Sequence, residues 1–252
     1  MRGRVCGALV VAVSLAWTSI GLADERAEAL KIVDAAIQAA GGEAKLAKLQ
    51  TVTLKGKGTV TVPNEEGTVA FEATVHGLDR LRLDLELTGK DNNTLKLSIG
   101  LSGDKSWIKN NDRMEDAPPE VTTLLKAEMH AMRVAQSLPL LKDKDLKLSP
   151  LGEMKIDDRA AVGIKITKKD YPDVDLYFDK ETRLPLKFEL RIKEPNGQEI
   201  TTAWLFSAYK ELAGVKHPSK VALLREGEKL LELEIGEVKP EEKVDESTFA
   251  KP

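Results

Sequence analysis

The residues able to do acid–base or metal chemistry are scattered in this sequence. The three histidines, His76, His130 and His217, have no carboxylate or cysteine at the spacing of metal ligands. The sequence also contains no His-Glu-x-x-His pair, no nucleophile elbow and no glycine-rich phosphate loop. We therefore expect each histidine to be a surface residue or a satisfied loop donor rather than a catalytic group.

Two groups of aspartates could hold a cation or act as paired acids. Asp157 and Asp158 are neighbours in a tight turn, and Asp173 and Asp175 lie on one solvated strand face. No bidentate glutamate or turn glycine completes a calcium loop of the EF type around the second pair and Asp179. The sequence therefore predicts no metal ion, no cofactor and no enzymatic activity. A hydrolase with unrecognised active residues is an alternative that only turnover would reveal.

The charge balance argues against a nucleic-acid partner. The 252 residues include 38 Lys and Arg against 41 Asp and Glu, a net charge of −3, and both signs are spread along the chain.

The only cysteine is Cys6, so the chain can form no internal disulfide. Its stability must come from packing.

The first 23 residues are typical of a secretory signal peptide. The segment 1–4 is basic, the run 5–22 is apolar, and a small-residue site ending at Ala23 precedes Asp24. We expect cleavage after Ala23, which leaves one domain, 24–252, in the periplasm. No later segment is long and apolar enough to cross a bilayer.

Period-two alternation is clearest between residues 78 and 107. The apolar members of two runs are Leu81, Leu83, Leu85 and Leu87, then Leu95, Leu97, Ile99 and Leu101. Charged or small residues separate them, so all eight lie on one face of an antiparallel meander. Similar runs elsewhere predict a single, strongly curved antiparallel sheet of about ten or eleven strands. Gly56 and Gly58 on the apolar face of the first strand predict a sheet bend or a bulky neighbour.

Two amphipathic helices accompany the sheet. The first runs from Asp24 to Ala40, and the second runs from Glu120 to Ser137. The second helix has an apolar stripe of Val121, Leu124, Leu125, Met129, Met132 and Ala135, and a polar face of Thr123, Lys126, His130, Arg133 and Ser137. A helix inserted between strands of one sheet must lay its stripe on the sheet's apolar face. The fold class is therefore mainly β with covering helices (α+β).

The apolar face of the sheet is the candidate binding site. A large curved sheet has more concave apolar surface than two helices readily fill. Met129 and Met132 are adaptable side chains, suited to a lid over varied acyl chains. The predicted lining and lid residues are Val60, Phe71, Leu83, Leu85, Leu97, Ile99, Trp107, Leu125, Met129, Met132, Phe178 and Phe188. The opposing interpretation is a filled hydrophobic core.

The order of segments resembles the LolA/LolB-like family, the periplasmic carriers that sort lipoproteins to the outer membrane. The signal peptide and the N-terminal helix are followed by strands, by the segment from Leu101 to Trp107 and by a helix insert. The segment from Leu176 to Pro185 and the ending from Val244 to Phe249 are also similar to those of many family members. The likeness spans nearly the whole chain after the signal peptide.

This resemblance implies an unclosed half β-barrel whose concave face, lidded by helices, binds a lipid or lipoprotein acyl chain. It also implies a membrane-associated donor or acceptor, and we expect a monomer. The early-strand arginine of the family falls near His76-Gly77 here, and Arg80 is three residues later. A carrier of another lipid or hydrophobic molecule is thus equally compatible with the sequence. The remaining alternative is a structural or protein-interaction domain of the envelope with a filled core, which uses its sheet edges for partners.

Overall fold

A single antiparallel sheet forms the body of the protein. The computed structural model describes residues 17–62, 65–194, 196–241 and 243–252. The strands are β1 Thr51–Val62, β2 Glu65–His76, β3 Arg80–Thr88, β4 Thr94–Ser102, β5 Lys105–Asn110, β6 Arg113–Asp116, β7 Lys147–Ile156, β8 Arg159–Thr167, β9 Val174–Asp179, β10 Pro185–Lys193, β11 Glu199–Leu212, β12 Val215–Arg225 and β13 Glu228–Pro240. The helices are α1 Trp17–Ala40, α2 Glu43–Leu46 and α3 Pro119–Gln136, and short 3₁₀ segments occupy Ala47–Gln50, Leu138–Lys142 and Glu246–Thr248.

The sheet is open. Its strand order is β6-β5-β4-β3-β2-β1-β13-β12-β11-β10-β9-β8-β7, so β6 and β7 are the two edges and do not pair with each other. Each neighbouring pair is antiparallel, and β1 joins the two halves by pairing with both β2 and β13. This arrangement confirms the predicted mainly β fold with a single unclosed sheet and covering helices.

The sheet has thirteen strands in the described residues, where the sequence predicts about ten or eleven. Two of the additional strands are the edges, β6 and β7. β6 has only four residues, and β7 contains Pro150 and Gly152, between which its register against β8 shifts. Edge strands tolerate proline and need no regular alternation, because one side of their backbone is unpaired. Their patterns are therefore weak.

The chain path explains why α3 covers the inner face of the sheet. Strands β6 and β7 are consecutive in sequence but lie at opposite edges of the sheet. The segment that joins them must therefore cross the whole sheet, and α3 is the main part of that segment. It contacts β4 in one half of the sheet and β10 in the other.

Helix α1 covers the half of the sheet near β7. Its buried side consists of alanines and β-branched residues, namely Ala29, Val33, Ala36, Ile37 and Ala40. The small residues let the helix lie close to β7. The predicted cleavage point after Ala23 falls inside this helix, and residues 1–16 of the predicted signal peptide lie outside the described residues.

The predicted bend at the first strand is present. A side chain at Gly56 would overlap the ring of Phe71, and a side chain at Gly58 would overlap the backbone of Glu232. The register of β1 against β13 also shifts between Lys55 and Gly56. A β-bulge increases local twist and bends a strand. The sheet bend and the close neighbours, which the sequence predicts as alternatives, therefore occur at the same place.

Candidate functional site

An apolar cavity of about 440 Å³ lies between the sheet and α3. Strands β1, β2 and β3 form one wall of the cavity, and strands β11, β12 and β13 form the other. The two walls meet where β1 pairs with β13. Of the 23 described residues that line the cavity, only Glu128 and Arg133 are charged. The lining residues are Leu54, Val60, Val69, Phe71, Ala73, Val75, Leu81, Leu83, Leu85, Leu87, Leu125, Glu128, Met129, Met132, Arg133, Gln136, Trp204, Val221, Leu223, Leu230, Leu231, Leu233 and Ile235.

The cavity is deep at one end of the strands and open at the other. Leu54, Ala73 and Val75 are buried at the end near the β2–β3 turn. Val60, Leu87 and Leu231 lie toward the β1–β2, β3–β4 and β12–β13 hairpins and are only half-buried. An apolar side chain normally gains about 1.5–3 kcal/mol from full burial. The open end therefore presents apolar surface whose burial is incomplete in the protein alone.

Helix α3 faces the cavity with its largest apolar side chains. Leu125 and Met132 are half-buried, and Met129 is buried beside them. The side of α3 that packs most tightly carries smaller residues, and Ala131 and Val134 there are fully buried. Close approach of a helix to a sheet favours small side chains, so the bulky residues of the stripe are left for the cavity.

The predicted polar face of α3 is wrong for two residues. His130 is 1 % exposed and Arg133 is 3 % exposed, where the sequence places both on the side away from the sheet. The His130 ring packs against Tyr171, with ring centroids 4.6 Å apart, and its Nδ1 has no hydrogen-bond partner among the described residues. Burial lowers the pKa of His130 to about 4, and the nearby charge of Lys168 acts in the same direction.

Arg133 fixes α3 to the deep end of the cavity. Its Nε donates to the carbonyl of Gly77 at 2.8 Å, and one Nη donates to the carbonyls of Leu49 and Gln50 at 3.3 Å each. These carbonyls belong to the turn between β2 and β3 and to the segment before β1. Burial lowers the pKa of Arg133 to about 10, so the side chain keeps its charge at neutral pH.

Glu128 is the one acidic group of the cavity lining. Thr202 Oγ1 donates to Glu128 Oε1 at 2.8 Å, and Trp204 Nε1 donates to Glu128 Oε2 at 3.0 Å. Burial raises the pKa of Glu128 above its ordinary value, and the two hydrogen bonds oppose this rise only in part. Glu128 is not among the site residues predicted from the sequence, although it lies three positions after Leu125 and four before Met132, on the same stripe.

Seven of the twelve predicted site residues line the cavity together. They are Val60, Phe71, Leu83, Leu85, Leu125, Met129 and Met132. Leu97 and Ile99 lie beyond them on β4, opposite Leu85 and Leu83, and are half-buried on the same face. Alternation along neighbouring strands identifies the strand residues of the site, and helical spacing identifies its three residues on α3. That these residues bind a ligand stays a prediction.

Phe178 and Phe188 belong to the packed core rather than to the cavity. They are 1 % and 0 % exposed. The Phe188 ring packs against Phe206, with ring centroids 5.8 Å apart, and against Trp204, with ring centroids 6.4 Å apart. Trp204 in turn lines the cavity. The sequence shows the face on which these rings lie, but not which half of that face the helices cover.

Trp107 lies on the opposite face of the sheet. Its ring covers Gly100, and its Nε1 donates to the carbonyl of Phe249 at 3.1 Å. The Arg82 guanidinium lies 4.8 Å from the centre of the ring. The C-terminal segment thus packs against the outer face, and the sequence-based placement of Trp107 in the cavity lining is corrected. The segment from Leu101 to Trp107 anchors the C-terminal end of the chain.

Asp179 and Asp175, two of the aspartates singled out by the sequence, have structural partners. Asp179 accepts hydrogen bonds from the backbone of Glu181 and Thr182 and pairs with Arg159. Burial opposes the effect, but these contacts together lower the pKa of Asp179. Asp175 pairs with Lys165 at 2.8 Å. Within the described residues, no three His, Cys, Asp or Glu side chains come together as a metal site.

Two of the predicted donor histidines have partners. His217 is buried on β12, and its Nδ1 donates to the carbonyl of Pro218 at 2.9 Å. His76 Nδ1 lies 2.6 Å from Thr51 Oγ1. None of the three histidines lines the cavity. In the part of the chain that the structure describes, no helix combines the length and hydropathy of a membrane span.

Comparison with solved structures identifies proteins of the same fold. A LolA superfamily protein from Nitrosomonas europaea superposes with a TM-score of 0.56 at 13 % identity, over 88 % of this chain and 97 % of that one. A domain assigned to outer membrane lipoprotein sorting, from Vibrio parahaemolyticus, gives a TM-score of 0.51 at 13 % identity, over 89 % and 97 % of the two chains. A DUF1329 family protein from Desulfovibrio piger gives 0.51 at 12 % identity, over 88 % and 97 %.

No protein-family model and no curated protein sequence matches this chain. The structural similarities cover nearly all of each compared structure, so they concern the whole fold and not one motif. At these identities they establish architecture. The chain has the LolA-like fold that its sequence segments predict.

Proposed function

We propose that this protein binds the acyl chain of a lipid or lipidated protein in the cavity and carries it within the cell envelope without catalysis. One observation carries the proposal: an apolar cavity of about 440 Å³ with half-buried leucines at its open end. Ligand sites of proteins usually occupy about 300–1,000 Å³ and are mostly apolar. A flexible hydrocarbon chain fits this lining, since the lining offers few groups that could orient a polar ligand.

The energy of such binding is sufficient for a carrier. Each methylene transferred from water to an apolar site contributes about 0.8 kcal/mol. A micromolar Kd corresponds to about 8 kcal/mol. About ten buried methylenes supply that amount before the entropic cost of association is subtracted, so a chain of common membrane-lipid length can be held reversibly.

The cellular role follows the same reasoning. The Vibrio relative of the same fold is assigned to outer membrane lipoprotein sorting, and the first 23 residues here are typical of a signal peptide. We therefore propose a periplasmic carrier that receives its cargo from one membrane-associated partner and delivers it to another. Mass spectrometry of the protein purified from its native envelope tests the location and the cargo together, through the mass of the N-terminus and of any extracted lipid.

A pair of alanines on β2 provides the sharpest binding test. Ala73 lines the cavity, whereas Ala70 is exposed on the outer face of the same strand. Ala73→Phe adds a phenyl ring to the cavity, and loss of space for only two methylenes would already raise the Kd of a fluorescent fatty-acid probe about tenfold. Ala70→Phe adds the same ring outside the cavity and should leave the Kd unchanged.

Two results would contradict the carrier proposal. Equal affinities of the two alanine variants, or no uptake of probe by the wild-type protein, would reject the carrier proposal. Urea unfolding of both variants controls for damage to the fold. If Ala73→Phe does not fold, Leu85→Gln at the half-buried cavity wall and Glu86→Gln on the outer face repeat the comparison with less steric change.

One observation favours a protein-interaction role as the second candidate. Strand β7 has a free edge, and its Leu151 and Met154 are the large apolar side chains most exposed on the described surface, at 36 % and 41 %. Free edges can pair with a strand of another chain. Under this hypothesis Met154→Lys abolishes co-purification of a partner, whereas Ala73→Phe does not affect it.

A further inference from the structure

The Glu128 carboxylate has unused hydrogen-bonding capacity. Each of its oxygens accepts one hydrogen bond, from Thr202 and from Trp204 respectively. A carboxylate has about four lone-pair sites, so each oxygen can accept one further donor. The side chain is half-buried and forms part of the cavity lining, so a bound ligand can reach it.

The register of the sheet places this carboxylate toward the open end of the cavity. Trp204 pairs with Leu223 on β12, Leu223 pairs with Leu231 on β13, and Leu231 pairs with Val60 on β1. These residues form one row across the sheet near the hairpin tips. Thr202 lies one step farther out, opposite Arg225 at the end of β12. An acyl chain that fills the deep end would thus leave its polar head near Glu128.

No cation of the described residues compensates this carboxylate. The pKa of Glu128 is governed by burial and by its two neutral donors, with no contribution from a basic side chain. Arg133 is the other charged lining residue, but its guanidinium is directed to the carbonyls of Gly77, Leu49 and Gln50 at the deep end. A negative ligand head at the open end would therefore find no cation to pair with, whereas an ammonium head would supply one and favour the ionised form of Glu128.

We infer that Glu128 selects the polar head of the ligand, so that the cavity prefers an amphiphile with an ammonium or hydroxyl head over one with a carboxylate head. This inference rests on the proposed function. An ammonium head forms a charge-assisted hydrogen bond with the carboxylate. A hydroxyl head can donate a single hydrogen bond to a Glu128 oxygen, whereas a carboxylate head has no proton to donate at neutral pH and meets no cation there.

Three ligands with one chain length test the inference. Dodecylammonium, dodecanol and dodecanoate compete at neutral pH for the cavity with the neutral fluorescent reporter N-phenylnaphthylamine, on the wild-type protein and on Glu128→Gln. In the wild type, dodecylammonium should displace the reporter at about a tenfold lower concentration than dodecanoate. Glu128→Gln should reduce that ratio to about twofold, because the amide keeps the shape but cannot ionise to pair with the ammonium head. The ratio between the two proteins cancels the different solubilities of the ligands.

The matched control is Glu120→Gln. Glu120 is exposed in the first turn of α3, outside the cavity, and its variant should retain the wild-type ratio. A wild-type preference for dodecanoate, or an ammonium preference that survives Glu128→Gln, would overturn the inference while leaving acyl binding intact. Failure of the reporter and of all three ligands to bind would overturn the proposed function itself. Because the wild-type ratio alone can refute the inference, the test does not depend on the folding of the variant.

Discussion

Acidification should destabilise this protein through one buried histidine. His130 is 1 % exposed, its Nδ1 has no hydrogen-bond partner in the described part of the chain, and burial lowers its pKa to about 4. In the unfolded chain a histidine has a pKa near 6.5. Between these two values the unfolded state binds more protons than the folded state, so stability is lost as the pH falls from about 6.5 toward about 4.

The magnitude follows from the difference between the two pKa values. At about pH 5 the unfolded histidine is almost fully protonated and the folded one is mostly neutral, which costs about 2 kcal/mol relative to about pH 7. Below the folded value the full loss is about 3 kcal/mol. His130→Phe retains a ring against Tyr171 but cannot titrate. The variant should lose about 2 kcal/mol less than the wild type over the same change of pH.

Urea unfolding of the two proteins at both pH values measures this difference. His217, whose pKa is also lowered by burial, is present in both proteins and cancels. An NMR titration of the His130 ring provides the second readout, with a midpoint near 4 expected. Equal pH dependence of the wild type and His130→Phe, or a His130 midpoint near 6.5, would refute the argument.

Two further predictions concern contacts that hold the cavity and the outer face. Arg133→Met should lower the free energy of unfolding by about 3 kcal/mol, because three backbone carbonyls lose their hydrogen-bond donor. Arg133→Lys should restore only part of this stability, because an ammonium cannot reproduce the several donors of a guanidinium; full recovery would show that these separate donors are unimportant. Gly100→Ala should cost about 2 kcal/mol and shift the tryptophan emission, since its side chain would overlap Trp107. Gly89→Ala, where a side chain meets nothing within 4 Å, should change neither quantity.

The sequence predicts the sheet well because its signal is local. Leu81 to Leu87 alternate with charged residues, and this period assigns each side chain to a face whatever the rest of the chain does. Four of the predicted site residues, those on β1, β2 and β3, line the cavity for that reason. The same alternation does not identify edge strand β7, because Pro150 and Gly152 interrupt the period-two pattern and one side of the strand's backbone is unpaired.

The orientation of α3 could not be predicted from its apolar stripe alone. The stripe predicts Leu125 and Met132 for the cavity lining, where both are half-buried, but it does not show which side of the helix packs most tightly. The tightest contacts are made by Ala131 and Val134, and the polar residue His130 is buried beside them. Which side of a helix packs closely depends on the distance between the helix and the sheet. That distance is set by long-range contacts such as those of Arg133 with Gly77.

The cavity itself is the strongest reason to connect this fold with a ligand. In protein cores, residual cavity volume costs about 24 cal/mol per Å³. At that rate a closed cavity of 440 Å³ would cost about 10 kcal/mol, as much as the whole stability of a typical domain. The open end reduces this cost by admitting solvent, but it leaves Leu85, Leu223 and Leu231 only half-buried. A sequence selected for stability alone would fill this space with larger side chains at positions such as Ala73. Its retention is explained if a hydrocarbon chain completes the core, in which case bound ligand should raise the stability of the protein in proportion to its concentration relative to Kd.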